Sequence, residues 1–179
     1  MILNENLIRH AAVEARQNRY ILESVQYSSY EEYDLFISHS FSDKNLVTGL
    51  EYLFDKAGYK VYIDWIDDPN LDRNNVTKQT AEIIKNRLKN CKALAYISTE
   101  NIISSKWCPW ELGLADGLHN GKACILPVMN NTFKGQEYLN LYSYVEYSVT
   151  ERTGKMDFLV YDSEDRSKCK VLSEWLTDT

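Results

Sequence analysis

Tyr33-Asp34-Leu35-Phe36-Ile37-Ser38, followed by His39-Ser40-Phe41-Ser42-Asp43, is the stretch on which the fold of this chain turns. A short apolar run between polar residues reads as a strand buried on both faces. The polar turn after it offers Ser42 or Asp43 as a helix cap. A helix then follows over about 44–57, with Leu46, Val47, Leu50, Leu53 and Phe54 on its inner face and Gly58 ending it.

The same strand-then-helix unit recurs downstream. Lys60 to Asp64 reads as a second strand, followed by an Asp-, Asn- and Pro-containing loop from Trp65 to Asn75. Val76 to Asn90 reads as a helix capped by Thr77 or Asn75, and Ala93 to Ser98 as a third strand. Pro109 suits the first turn of the next helix, which ends near Gly117 to Gly121. Ala123 to Val128 is the fourth strand and Tyr144 to Val149 the fifth. Alternation of this kind predicts an α/β fold, with a parallel five-stranded sheet and helices on both faces. Residues 3–26 read as one N-terminal helix that packs on its own domain or, as the less favoured alternative, on a partner copy. Met156 to Tyr161 reads as an edge strand and Ser167 to Thr179 as a closing helix. The organisation is therefore an N-terminal helical extension (1–30), a main domain (31–150) and a small C-terminal appendage (151–179).

Composition narrows the function classes. A chain of 179 residues with 44% hydrophobic content supports one domain with a real core. The net charge of −6 argues against nucleic-acid and anionic-membrane binding. Cys91, Cys108, Cys124 and Cys169 form no CxxC pair, and His10, His39 and His119 are scattered, so no metal site is expected. Free thiols, no basic signal-peptide start and no apolar run of about 18 residues point to the cytoplasm.

In parallel sheets, ligands bind beyond the carboxyl ends of the strands. The segments expected there are Ser38 to Asp43, Asp64 to Asn75 and Ser98 to Glu111. Each is polar and carries an aromatic (Phe41, Trp65 and Trp107), which predicts a small-molecule site. Within Trp107-Cys108-Pro109-Trp110-Glu111, Trp107 and Glu111 are four apart and share one helical face. That spacing fits a flat ring held beside a carboxylate. By itself it fits better a buried Trp anchor and a solvated Glu.

Three of these stretches resemble the Toll/interleukin-1 receptor (TIR) domain family over roughly residues 31–148. Tyr33 to Ser40 is similar to the family's first box, and Gly58 to Asp64 to its second strand. Ser105-Lys106-Trp107-Cys108-Pro109-Trp110-Glu111 is similar to the helix that carries the catalytic glutamate of NAD-consuming members. Asp64 to Arg73, with Val76-Thr77, resembles stand-alone bacterial TIR proteins, including those of Thoeris antiphage systems. The Arg-Asp-x-x-Pro-Gly loop of animal receptor TIR domains is absent, since no Gly follows Pro69, which weighs against a purely scaffolding role.

The resemblance implies a flavodoxin-like fold and an enzyme that cleaves NAD+ at the nicotinamide–ribose bond. It would make a cyclic ADP-ribose-type signal that a separate effector protein reads. NAD+ would be substrate rather than cofactor. Glu111 is the catalytic candidate, and Ser40, Phe41, Trp65, Arg73 and Trp107 are the substrate-binding candidates. Self-association through TIR–TIR contacts is implied, with weak activity as a monomer. A non-catalytic interaction module and an enzyme that only depletes NAD+ are the alternatives. Asp64 is expected to order its loop, His39 to serve the turn, Trp110 to pack into the core or an interface, and Cys108 to pack as a small buried residue. Arg73 is expected to be a solvated loop cation or to meet a diphosphate or a second protomer, and Ser42 to meet a ribose or phosphate or the helix end.

Overall fold

The computed structural model describes residues 3–19, 32–73, 75–129 and 136–178. Five strands form the expected parallel core: β2 (Tyr33–Ser38), β3 (Val61–Tyr62), β4 (Cys91–Ser98), β5 (Ala123–Met129) and β6 (Ser143–Val149). Their order is β3-β2-β4-β5-β6, all parallel. This is a flavodoxin-like order, with its switch point between β2 and β4. Antiparallel β7 (Met156–Tyr161) and β8 (Cys169–Val171) extend the sheet past β6. A two-residue β1 (Leu3–Asn4) pairs with the end of β5.

The residues of β4 explain why the sheet is covered twice. Ala93, Ala95 and Ile97 join one core cluster, while Leu94 and Tyr96 join the other. Successive side chains point to opposite faces, so a strand apolar at every position needs cover on both. The first face is covered by α2 (Lys44–Ala57), through Val47, Leu50 and Phe54. The second is covered by α4 (Lys78–Lys89), through Ile84 and Leu88, and by α5 (Cys108–Leu118), through Leu112 and Ala115. Gly58 ends α2 in the left-handed conformation. Thr77, rather than Asn75, caps α4 by accepting the Thr80 N–H at 3.1 Å.

Several boundaries differ from the sequence reading. The N-terminal helix α1 spans Glu5–Arg19, because Leu3 and Asn4 are taken up by β1; the turns expected over 20–26 lie outside the described residues. Helix α1 packs on α2 and places Ile8 and Ala11 in the core below it. The segment after β3 opens with a helical turn, α3 (Asp64–Asp67), where a loop was expected; the Asp67 carboxylate accepts the Ile63 N–H at 2.7 Å and closes it. Met156 to Tyr161 is not the sheet edge, because β8 pairs outside it. The closing helix α6 spans only Leu172–Thr177. Asp162 and Asp165 accept the backbone N–H groups of the intervening turn, so the chain reverses into β8 before the helix starts. Phe158 of β7 stacks on Phe54 with ring centroids 3.9 Å apart, which ties the tail to the core. Among the described residues no helix is long and apolar enough to cross a membrane.

Gly49 sits where α2 meets α1, and a Cβ there would overlap the Ile8 carbonyl. In an open helix, Gly49→Ala would gain about 1 kcal/mol from propensity. Here α1 must be displaced, and overpacking of about 2–3 kcal/mol outweighs that gain. The variant should melt a few degrees below the wild type, at roughly 2–4 °C per kcal/mol. A raised melting temperature would show that α1 does not lie on α2 in this way.

Candidate functional site

The site lies at the switch point, where the loops after β2 and β4 diverge. Strand β2 ends in Ser38, and the chain turns through His39 and Ser40 into a short 3-10 segment at Phe41–Asp43. Neither Ser42 nor Asp43 gives α2 a side-chain cap. The Asp43 carboxylate instead accepts from the Thr99 hydroxyl at 2.6 Å and the Asn101 amide at 2.5 Å. Those two residues follow β4, so Asp43 ties the two loops together. The His39 Nδ1–H donates to the Ile37 carbonyl at 2.9 Å, which turns Nε2 toward Asp64 at 3.5 Å.

Helix α5 brings in the carboxylate. Pro109 sits in its first turn, and the Glu111 N–H donates to the Trp107 carbonyl at 2.8 Å. Glu111 therefore lies at the positive end of the helix, where an anion is favoured. It is not a solvated Glu: its exposure is 0%. The Ser38 hydroxyl donates to Oε2 at 2.7 Å, and Arg73 Nη2 reaches Oε1 at 2.5 Å. Arg73 Nη1 also pairs with Asp64 Oδ2 at 2.8 Å. The Arg73 carbonyl accepts the Trp107 indole N–H at 2.9 Å. Burial alone would lower the Arg73 pKa, but the charges of Glu111 and Asp64 outweigh it and raise it. Arg73 is thus not a free loop cation; it pairs with two carboxylates.

In front of this group lies a cavity of about 440 Å³. Ser40, Phe41, Trp65, Arg73 and Trp107 all line it, so the structure brings together every substrate-binding candidate. Glu111 stands behind the wall that Arg73 and Trp107 make. Phe41 is 68% exposed at the cavity, whereas Trp107 is buried. Asp64 orders its loop, accepting the Trp65 N–H at 2.7 Å besides pairing Arg73. Trp110 is not in the core; it is 41% exposed and meets Trp107 edge to face.

Three residues here escaped the sequence reading. Ser38 and Lys106 fell within segments expected at the ligand edge but were given no role of their own, and Lys44, which lines the cavity with Lys106, was read only as a helix residue. No local pattern marks Ser38, whose partner is 73 positions away. The lysines become visible only once the loops after β2 and β4 are known to share one cavity.

Cys108 is a packing residue. Its thiol donates to the His39 carbonyl at 3.2 Å and receives the Ser105 hydroxyl at 3.0 Å. Burial, together with the Glu111 charge, pushes the thiol up to about 12. Burial likewise raises Cys91 and raises Cys124 to about 12, while Cys169 is exposed. Iodoacetamide at pH 8 should therefore label Cys169 alone in the native protein. Cys169→Ser should take label only on unfolding. Rapid native labelling of Cys108 in peptide mass mapping would contradict this burial.

Comparison with known proteins bears on what such a site does. A TIR domain family model matches residues 35–156. A Bacillus cereus (strain MSX-D12) protein named "Probable 3' cyclic ADP-D-ribose synthase ThsB'" is 40% identical over 151 residues, covering 80% of this chain and 77% of that protein. A Cytobacillus dafuensis protein named "Putative cyclic ADP-D-ribose synthase TIR2" is 30% identical over 105 residues, which is 58% of this chain and 28% of that protein. Among solved structures, the TIR domain of the Toll-related receptor TRR-2 from Hydra magnipapillata has a TM-score of 0.48 at 19% identity, covering 63% of this chain and 82% of that one.

Proposed function

The chain belongs to the TIR domain family, and we propose that it is an NAD+-cleaving cyclase. It breaks the nicotinamide–ribose bond and closes the ADP-ribose unit into a cyclic signal of bacterial antiphage defence, read by a separate effector. The observation that carries this reading is Glu111: a fully buried carboxylate held from two sides behind an aromatic-lined cavity.

The chemistry needs little more. When the C1′–N bond breaks, its electron pair goes to the pyridine nitrogen and nicotinamide leaves neutral. No general acid has to protonate it, unlike the alkoxide of an ordinary glycoside. One carboxylate then suffices to stabilise the cationic ribose and to hold its hydroxyls. For this, Arg73 gives up Oε1 to the ribose, while Ser38 keeps Oε2 on the strand. Trp107 offers its ring to the nicotinamide. Phe41, Trp65 and Trp107 exclude water, so that a nucleophile of the same molecule captures C1′, releases one proton and closes the ring.

Turnover in this reading calls for a second copy, whose contact with the cavity rim draws Arg73 away from Glu111. Exposed Phe41, Ile103 and Trp110, on segments bordering the cavity, supply apolar surface for such TIR–TIR contacts.

Incubation with NAD+, followed by chromatography and mass analysis, tests the function directly. Nicotinamide should appear with a cyclic product of ADP-ribose less one water. Linear ADP-ribose alone would mean depletion rather than signalling, and no turnover at any protein concentration would leave an interaction module. Glu111→Ala should lower the rate by about a thousandfold or more. Ser38→Ala, which frees one carboxylate oxygen, should lower kcat by roughly tenfold with KM little changed. Full activity of the Glu111 variant would refute the site.

A further inference from the structure

We propose that Asp64 is the general base of ring closure, with His39 behind it as a second proton acceptor. The inference rests on the NAD+ cyclase reading and adds the group that the second half of that reaction needs.

Bond cleavage leaves no proton to place, because nicotinamide departs neutral. Closure does. As a ribose hydroxyl of the same molecule attacks C1′, a lone pair of its oxygen forms the C–O bond. The electrons of the O–H bond stay on that oxygen, and the proton has to pass to an acceptor. Where aromatic walls exclude water, that acceptor belongs to the protein. Glu111 is engaged elsewhere: Ser38 holds Oε2 at 2.7 Å, and Oε1 faces the cationic ribose in this reading.

Asp64 is the one carboxylate in the cavity lining. Its side chain keeps 11% of its surface open, against 0% for Glu111. Arg73 grips both carboxylates with the two ends of a single guanidinium, Nη1 on Asp64 Oδ2 at 2.8 Å and Nη2 on Glu111 Oε1 at 2.5 Å. The carboxylates therefore stand one guanidinium apart, and a substrate drawn to Glu111 comes up beside Asp64. The departure that uncovers Oε1 also uncovers Oδ2. One movement thus readies the group that meets the cation and the group that takes the proton.

His39 stands behind the other oxygen. The Ile37 carbonyl only accepts, so His39 Nδ1, 2.9 Å from it, carries the ring hydrogen. In the neutral ring Nε2 is then an acceptor, and it faces a further acceptor, Asp64 Oδ1, at 3.5 Å. The Trp65 N–H donates to the same Oδ1 at 2.7 Å and fixes the carboxylate in this orientation. Acceptor against acceptor is a poor contact, and one proton between them makes it a hydrogen bond. Loop ordering accounts for the Trp65 and Arg73 contacts, but not for an imidazole aimed at the carboxylate.

Two rates measured on one preparation test this. Exchange of isotopically labelled nicotinamide into NAD+ reports bond cleavage, which needs no base, and the cyclic product reports closure. Asp64→Asn still accepts the Trp65 N–H but cannot act as a base. It should lower cyclic product formation by roughly a hundredfold, and at least about tenfold more than it lowers exchange. Linear ADP-ribose should take up a larger share of the output. Asp64→Glu, which keeps a carboxylate, should close the ring faster than Asp64→Asn. His39→Gln should lower the cyclic share about fivefold, the factor of one hydrogen bond, and it carries the test if Asp64→Asn does not fold. Equal loss of exchange and closure in Asp64→Asn would leave Asp64 a loop-ordering residue. An unchanged cyclic share in Asp64→Asn or His39→Gln would send the proton elsewhere. Either result overturns the base while the cyclase stands. A wild type that yields no cyclic product removes the cyclase reading, and the base with it.

Discussion

A carboxylate with no exposure has to be paid for by partners, and Glu111 has two. A lone ion in the interior would cost many kcal/mol, whereas one that is paired and hydrogen-bonded is tolerable. Arg73 supplies the charge and Ser38 the hydrogen bond. Because Arg73 also binds Asp64, and Trp107 binds the Arg73 carbonyl, this one requirement fixes four segments against each other. They are the end of β2, the turn after β3, the loop at Arg73 and the start of α5. The cavity has its shape because Glu111 must be neutralised.

The same pairing holds two opposed demands. Partners that make burial tolerable also occupy the oxygens a substrate would use. The two are not equivalent. Ser38 stands on a central strand, flanked by β3 and β4, and is fully buried. Arg73 stands on a connecting segment. In the proposed reading Ser38 anchors one carboxylate oxygen on the strand and Arg73 yields the other, the division an oxocarbenium stabiliser would need.

How much of this was legible in the sequence depends on the range of the interaction. Strands β2, β4 and β5 announced themselves, because burial on both faces forces unbroken apolar runs such as Leu35-Phe36-Ile37 and Ala93 to Ile97. The shared face of Trp107 and Glu111 followed from helical spacing. Short elements were missed: three residues at Cys169–Val171 carry no periodicity and exist because β7 offers them a partner. Asp64–Asp67 became helical through carboxylates satisfying nearby backbone N–H groups, which composition alone reads as a loop. The Arg73–Glu111 pair spans 38 positions, and only the topology brings its members together.

The ends of the sheet carry a consequence of their own. Among the described residues the outer strands of its main order are β3, with two residues, and β8, with three, while β1, paired with the end of β5, has two. Such stubs present almost no open backbone ladder, and proteins use short edges to deter strand-to-strand joining. Copies of this chain therefore have little scope to recognise one another by extending the sheet. Recognition between them must be written in side chains, so it is tunable one residue at a time and reversible, unlike the cross-strand growth that ends in amyloid.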